Sequence, residues 1–321
     1  MESIRLPYKN DDFGNPMFAN VYWSSKTSGS SLRPIALVFH AGGFMAGDAE
    51  TTPKVQKEYL ANRGFLVVVP EYRLLPQVTG KQIYQDAEDS YSWATEIIPA
   101  ALKSEHGVEI DPKRVVVMGH SSGGTLALHI GSLHIDVVKA VTAFCPALFF
   151  ADPNNTAHFP TSVPPFDGIP DCTPTEEQRA AISPPGKQIS AAPFVFGRKE
   201  GEAIPVRVLW QASVFKRGQW TRHLSPDGDF VSLDPMARVD AKWPPTMIIH
   251  GVDDFVPGRD VEIVKRAEKV LKDAGVKSEV RLVDDAGHLF DHVASVGTTD
   301  QGSKWKEAVA GLDWLSSHVG L

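Results

Sequence analysis

Six apolar, β-branched runs, Ile35–His40, Phe65–Pro70, Val115–Met118, Val137–Phe144, Met247–His250 and Glu279–Val283, recur along the chain with stretches of helical spacing between them. That alternation is what a parallel sheet with crossover helices requires, so it predicts an α/β fold and sets aside all-α and all-β architectures. The apolar character of the runs predicts strands covered on both faces, central in the sheet. Helical spacing covers Pro53–Asn62, Lys81–Lys103, Thr125–His134, Arg259–Ala274 and Lys304–His318, with Gly64, Gly107 and Gly275 placed as C-cap signals. Ile4–Tyr8 and Met17–Trp23 predict two further, antiparallel strands at the N-terminus, which makes an eight-stranded, mostly parallel sheet.

One segment breaks the rhythm. Residues 151–245 carry 14 of the 24 prolines and no long strand or helix pattern. Phe159, Phe166, Phe194, Phe196, Trp210, Phe215, Trp220 and Phe230 supply more apolar surface than a linker needs. The expectation is one domain with its core in 1–150 and 246–321 and a lid inserted at 151–245, built of short helices and loops packed over the strand ends.

The strongest local signal is Gly119-His120-Ser121-Ser122-Gly123-Gly124, a G-x-S-x-G that directly follows the Val115–Met118 strand and directly precedes a helical stretch. In a sharp strand-to-helix turn the residues two before and two after the serine must be small for the two elements to approach, and Gly119 and Gly123 meet that need. Ser121 would then stand above the carboxyl edge of the sheet, where helix N-terminal N–H groups meet developing negative charge. The second signal, His40-Ala41-Gly42-Gly43-Phe44, follows the Ile35–Phe39 strand. Its glycines permit close backbone approach, and the N–H groups of Gly42 and Gly43 with that of Ser122 are candidate oxyanion donors.

A serine needs a histidine to take its proton and a carboxylate to hold that histidine. Two strand ends supply candidates. Asp253 and Asp254 follow the Met247–His250 strand, and His288, with His292 as rival, follows Glu279–Val283. The order Ser121, Asp254, His288 agrees with the serine–acid–histidine order of α/β-hydrolases. His288 and His292 lie at i, i+4 but lack an intervening acid in a ligand pattern, so no metal is expected.

These residues resemble a more defined group, the hormone-sensitive-lipase-like esterases. His40–Phe44 is similar to that family's HGGG loop, Glu71-Tyr72-Arg73-Leu74-Leu75-Pro76 to its YRLAPE segment, and Ile110–Arg114 and Gln85–Asp89 with Trp93 to its corresponding stretches. The resemblance covers about Arg33–Ala147 and Thr246–Phe290, and implies an α/β-hydrolase fold with Asp254 as catalytic acid and His288 as catalytic base. It departs in three places: the elbow reads GHSSGG where the family commonly has GDSAGG, Ala41 replaces the first glycine of HGGG, and the N-terminal arm is shorter than the family's usual helical cap needs.

The implied activity is cleavage of a carboxylic ester through an acyl-enzyme without metal or organic cofactor. A lactonase, thioesterase, acyltransferase or cyclase using the same triad is the alternative, and a non-catalytic hydrolase-fold binding protein is the reading from a different class. Phe44, Phe149 and Phe150 beside these loops, with the aromatics of 151–245, predict an apolar or aromatic small-molecule substrate; the opposing reading has the aromatics simply anchor the insertion. Lys+Arg 32 against Asp+Glu 39 gives −7 with no basic tract, which disfavours nucleic acid as partner. The two cysteines, Cys145 and Cys172, make no disulfide framework or zinc spacing. With no apolar leader at the start and no long apolar run, the expectation is a cytoplasmic protein without a membrane span. The oligomeric state is not legible.

Overall fold

The computed structural model describes residues 1–27, 32–157, 169, 173–194, 203–256, 258–295 and 302–321. Eight strands, β1 (Glu2–Asn10), β2 (Pro16–Trp23), β3 (Arg33–Phe39), β4 (Leu66–Pro70), β5 (Ile110–His120), β6 (Val138–Phe144), β7 (Thr246–Gly251) and β8 (Ser278–Val283), form one sheet in the order β1-β2-β4-β3-β5-β6-β7-β8. Only β2 runs against its neighbours, pairing antiparallel with both β1 and β4, while β4, β3, β5, β6, β7 and β8 pair in parallel.

The central strands show why their sequences are apolar throughout. Ile35, Leu37 and Phe39 of β3, with Val115 and Val117 of β5, enter one core; the intervening Ala36, Val38, Val116 and Met118 enter the other. Helices cover both sides. In chain order these are α1 (Lys54–Asn62), α2 (Gly80–Ser92), α3 (Ile98–His106), α4 (Ser122–Leu133), α5 (Glu176–Ile182), α6 (Val206–Lys216), α7 (Trp220–Leu224), α8 (Val261–Asp273), α9 (Phe290–Ser295) and α10 (Gly302–Ser317). The buried faces of α1, α9 and α10 join one core, and those of α2, α3, α4 and α8 the other.

Three expectations need correction. Glu279–Val283, expected to be central, forms the edge strand β8: most of its residues are half-buried and Leu282 is 38% exposed, as suits a strand with a partner on one side only. The stretch Lys81–Lys103 is not one helix. It is α2, a π-turn at Trp93–Ile97, and α3, because Pro99 near the start of α3 has no N–H to continue the helical ladder. β5 starts five residues before Val115, since Arg33 and Pro34 of β3 pair with Ile110 and Asp111 across a register shift.

Between β6 and β7 lie α5, α6, α7 and short 3₁₀ turns at Pro153–Thr156 and Pro235–Arg238. Phe159, Phe166, Phe196 and Cys172 lie outside the described residues. Of the other aromatics, Trp210, Phe215 and Trp220 are buried, and the Trp220 ring meets Phe150 edge-on at 5.6 Å.

Candidate active site

The chain leaves β3 for β4 on one side, then returns to place β5 on the other, so the carboxyl ends of β3 and β5 flank a point where the strand order reverses. Ligand crevices of open α/β sheets form at such points. At this edge β3 ends in His40–Phe44, β5 in Ser121, β7 in the Asp253–Asp254 turn and β8 in the His288 loop.

Ser121 has φ 53° and ψ −118°, a left-handed backbone that a non-glycine residue adopts only where its surroundings enforce it. The enforcement is visible: its N–H donates to the Phe144 carbonyl (2.8 Å) and its own carbonyl accepts from Thr125 (3.2 Å) to start α4. The glycines flanking it have no room for a side chain. A Cβ at Gly119 would stand 2.0 Å from the Gly123 carbonyl oxygen, and one at Gly123 would stand 2.2 Å from that of Phe39.

Ser121 Oγ lies 3.0 Å from His288 Nε2, and His288 Nδ1 lies 2.7 Å from Asp254 Oδ2. An ionised carboxylate at Nδ1 requires the proton there, which leaves Nε2 to accept from the serine hydroxyl. The Asp254 side chain is fully buried. Burial by itself would raise its carboxyl, but the nearby His288 and His250 and the Val256 N–H on Oδ1 (3.0 Å) outweigh it and hold the group below the usual carboxylate range.

The rivals go elsewhere. Asp253 is exposed and its backbone N–H donates to the Ala286 carbonyl (2.9 Å). His292 lies 3.4 Å from Asp291 and edge-on to the His120 ring at 4.8 Å, so His288 and His292 turn to different partners.

Gly42 has φ 138° and Gly43 φ 62°, and side chains there would also collide: a Cβ on Gly42 falls 1.8 Å from the Ala46 carbonyl oxygen, and one on Gly43 falls 2.8 Å from the Phe215 ring. Ala41 has no positive φ, so the position needs no glycine. Among the described residues, the N–H groups of Gly42, Gly43 and Ser122 donate to no backbone carbonyl. Phe44 is fully buried, 6.5 Å from the Tyr84 ring; Phe150 is 1% exposed against Trp220; Phe149, 8% exposed, lies under the Arg266 guanidinium at 3.9 Å. All three rings pack against other side chains.

Sequence reasoning missed a second buried polar group on the α1–α9 face of the sheet. His120 Nε2 lies 2.9 Å from Gln56 Oε1 and 3.0 Å from Asp291 Oδ2, and Gln56 Nε2 donates to the same carboxylate oxygen at 2.9 Å. Burial would raise Asp291, yet His120 and His292 beside it hold it well below the usual range. Burial lowers His120. Ligating atoms of His120, Asp291 and His292 lie within 4.8 Å of one another, as do those of Cys145, Asp254 and His288. Burial pushes the Cys145 thiol up, which makes it a poor thiolate ligand. Gln56 and Asp291 carry no motif, and only the periodicity that buries one face of α1 hinted at the first.

Residues 36–164 match a family model described as the alpha/beta hydrolase fold. The chain is 28% identical over 346 residues to the non-reducing polyketide synthase ausA of Emericella nidulans, an alignment that takes in 96% of this chain and 14% of that protein. It is 29% identical over 328 residues to the non-reducing polyketide synthase Preu6 of Preussia isomera, with 94% and 14% covered. The chain thus spans about a seventh of the length of these curated relatives. Among solved structures, Thermogutta terrifontis esterase 2 phosphoramylated by tabun superposes with a TM-score of 0.63 at 18% identity, covering 98% of this chain and 94% of that one. The butyrate-bound form of the same esterase gives 0.60 at 19%, with the same coverage. Strand order, elbow geometry, family model and superposition agree: the chain is a protein of the α/β-hydrolase fold.

Proposed function

We propose that the chain is a serine hydrolase that cleaves a carboxylic ester through an acyl-enzyme. The observation that carries the reading is the chain of contacts from Ser121 Oγ to His288 Nε2 (3.0 Å) and from His288 Nδ1 to Asp254 (2.7 Å). Ser121 Oγ attacks the ester carbonyl carbon while its proton passes to His288 Nε2. The negative charge moves to the former carbonyl oxygen, which the N–H groups of Gly42, Gly43 and Ser122 receive. Collapse expels the alcohol oxygen, which takes the proton from Nε2 and leaves the acyl group on Ser121. Water then gives a proton to Nε2, attacks the acyl carbon, and the proton returns to Ser121 as the acid departs. Asp254 keeps the imidazole in one tautomer and stabilises the imidazolium. No step calls for a cofactor.

In this reading 151–245 is a lid on a single domain with its core in 1–150 and 246–321, and the substrate is a small apolar or aromatic ester. Phe149 and Phe150, at the start of that segment, and Phe44, beside the oxyanion glycines, serve through the shape they give the pocket wall. A cytoplasmic setting belongs to the proposal and is supported by the presence of only two cysteines. Among the described residues no helix is long and apolar enough to cross a membrane.

The curated relatives favour a second reading on the same machinery. Because they are named polyketide synthases and match this chain over 14% of their length, the acyl donor could be a polyketide thioester, passed to water or to another nucleophile. A fluorophosphonate probe tests what both readings share: it should label the wild-type chain and not Ser121→Ala. Turnover of aryl esters against the matching acyl thioesters then separates them, since a kcat/KM that favours the thioester supports the second. Labelling without turnover of either would return the protein to the binding-protein class.

A further inference from the structure

Three contacts from the segment between β6 and β7 converge on the loop that carries the oxyanion donors. Gln211 of α6 donates from Nε2 to the Gly42 carbonyl at 2.7 Å. Arg207, one turn earlier and 5% exposed, donates from Nη1 to the Met45 carbonyl (3.0 Å) and to that of Leu75 (2.7 Å). Gly47 and Ala192 exchange both of their backbone hydrogen bonds at 3.0 Å. Arg207 meets no carboxylate in these contacts, so its burial there serves the backbone it grips.

The first contact has a specific chemical meaning. The Gly42 carbonyl and the Gly43 N–H belong to one planar peptide and point in opposite directions, so whatever fixes the carbonyl fixes the N–H. Both residues hold positive φ, which glycine adopts without strain, and neither has a side chain to fix the orientation of the peptide between them. Among the described residues, the Gly42 carbonyl accepts from the Met45 and Ala46 N–H groups (3.0 and 3.1 Å) within the loop and from Gln211 outside it. Gln211 is 2% exposed, and its Oε1 is buried without a hydrogen-bond partner among the described residues, an arrangement retained at a cost. The Phe215 ring, one turn further along α6, stands where a Cβ on Gly43 would fall 2.8 Å from it.

We infer that Gln211 is a positioning residue for the oxyanion hole: it aims the Gly43 N–H, so the hole is competent only while α6 is docked on the loop. This rests on the proposed acyl-enzyme reading and adds to it a way for the inserted segment to set the rate. Movement of α6 would leave the Gly42–Gly43 peptide held only by the Met45 and Ala46 hydrogen bonds of its own loop, even with Ser121, His288 and Asp254 in contact.

The test uses Gln211→Met, of similar shape without the donor, and Gln211→Glu, which presents a carboxylate oxygen to the Gly42 carbonyl. Gln211→Met should lower kcat about 10- to 100-fold, up to the scale of a misplaced group and short of the roughly 10²- to 10³-fold of a missing oxyanion donor, with KM nearly unchanged and the thermal midpoint close to wild type. The Gln211→Glu carboxyl, buried with the Arg207 guanidinium one turn away on α6, can donate to the Gly42 carbonyl only once protonated. The ratio of its kcat to wild-type kcat should therefore rise as pH falls, while the ratio for Gln211→Met stays flat. Wild-type kcat in Gln211→Met, or a pH-independent ratio in Gln211→Glu, overturns the inference; if one variant does not fold, the other still decides. Failure of the underlying reading looks different: wild type is then unlabelled by the fluorophosphonate, or Ser121→Ala keeps its turnover.

Discussion

Acidification should destabilise the protein by about 3 kcal/mol through one imidazole, that of His40. The ring is fully buried, stacks on Tyr72 at 4.2 Å, and uses Nδ1 on the Ala41 carbonyl (2.8 Å), while Nε2 has no partner among the described residues. A second proton would sit on Nε2 with nothing to receive it. Burial accordingly pushes the group from 6.5 down to about 4, against smaller upward pulls from the Ala41 carbonyl and Asp48. The unfolded chain takes up the proton near pH 6.5 and the folded chain does so only near 4, so the stabilisation is complete above 6.5 and is lost as pH falls between those values. At about 1.4 kcal/mol per pH unit the window amounts to about 3 kcal/mol, a large share of an ordinary folding free energy of about 5–15 kcal/mol. Asp254, Asp291 and His120 are shifted in the same downward direction, so wild type alone does not isolate His40. His40→Asn does, because its amide can keep the donor to Ala41 and does not titrate. Urea unfolding of both proteins from pH 7 to pH 4 should show wild type losing about 3 kcal/mol more than the variant. Parallel curves would refute the reasoning.

Asp254→Asn should lower kcat about 10⁴-fold, as an orienting acid in a triad does, and Asp253→Asn should leave it close to wild type; steady-state kinetics of the pair decide the assignment, and the reverse ranking rejects it. Gly123→Ala places a methyl against the Phe39 carbonyl, so thermal or urea denaturation should show a loss of at least about 1–3 kcal/mol, the usual scale of overpacking, with turnover lost as the elbow opens. Across a series of acyl and aryl esters kcat/KM should rise with apolar size, at about 0.8 kcal/mol for each buried methylene. A profile that peaks at acetate would leave Phe149, Phe150 and the aromatics of α6 and α7 as packing alone.

The parts of this fold that sequence exposes are those with a local cause. β3, β4 and β7 read out because strands covered on both sides must be apolar at consecutive residues, and the elbow reads out because Gly119 and Gly123 face backbone where no Cβ fits. Ser121, Asp254 and His288, whose side chains the structure brings within hydrogen-bond distance, were legible as candidates because each stands at the end of a recognisable strand. β8 was legible as a strand but not as an edge, since edge position is a property of its neighbours, and the π-turn at Trp93–Ile97 escaped because helical periodicity continues through it. Gln211 and Arg207 left no signal: they act on backbone carbonyls more than 100 residues away, and a carbonyl has no sequence signature. The same holds for Gln56 with Asp291, which meet across 235 residues.

The most direct test of the central claim is the mass of the Ser121 peptide after acid quench during turnover of an aryl ester. A covalent adduct of the acyl group's mass is expected on the peptide containing Ser121, absent in Ser121→Ala and formed far more slowly in His288→Ala. Turnover at the wild-type rate with no adduct at Ser121, or an adduct mapped to another residue, would contradict it.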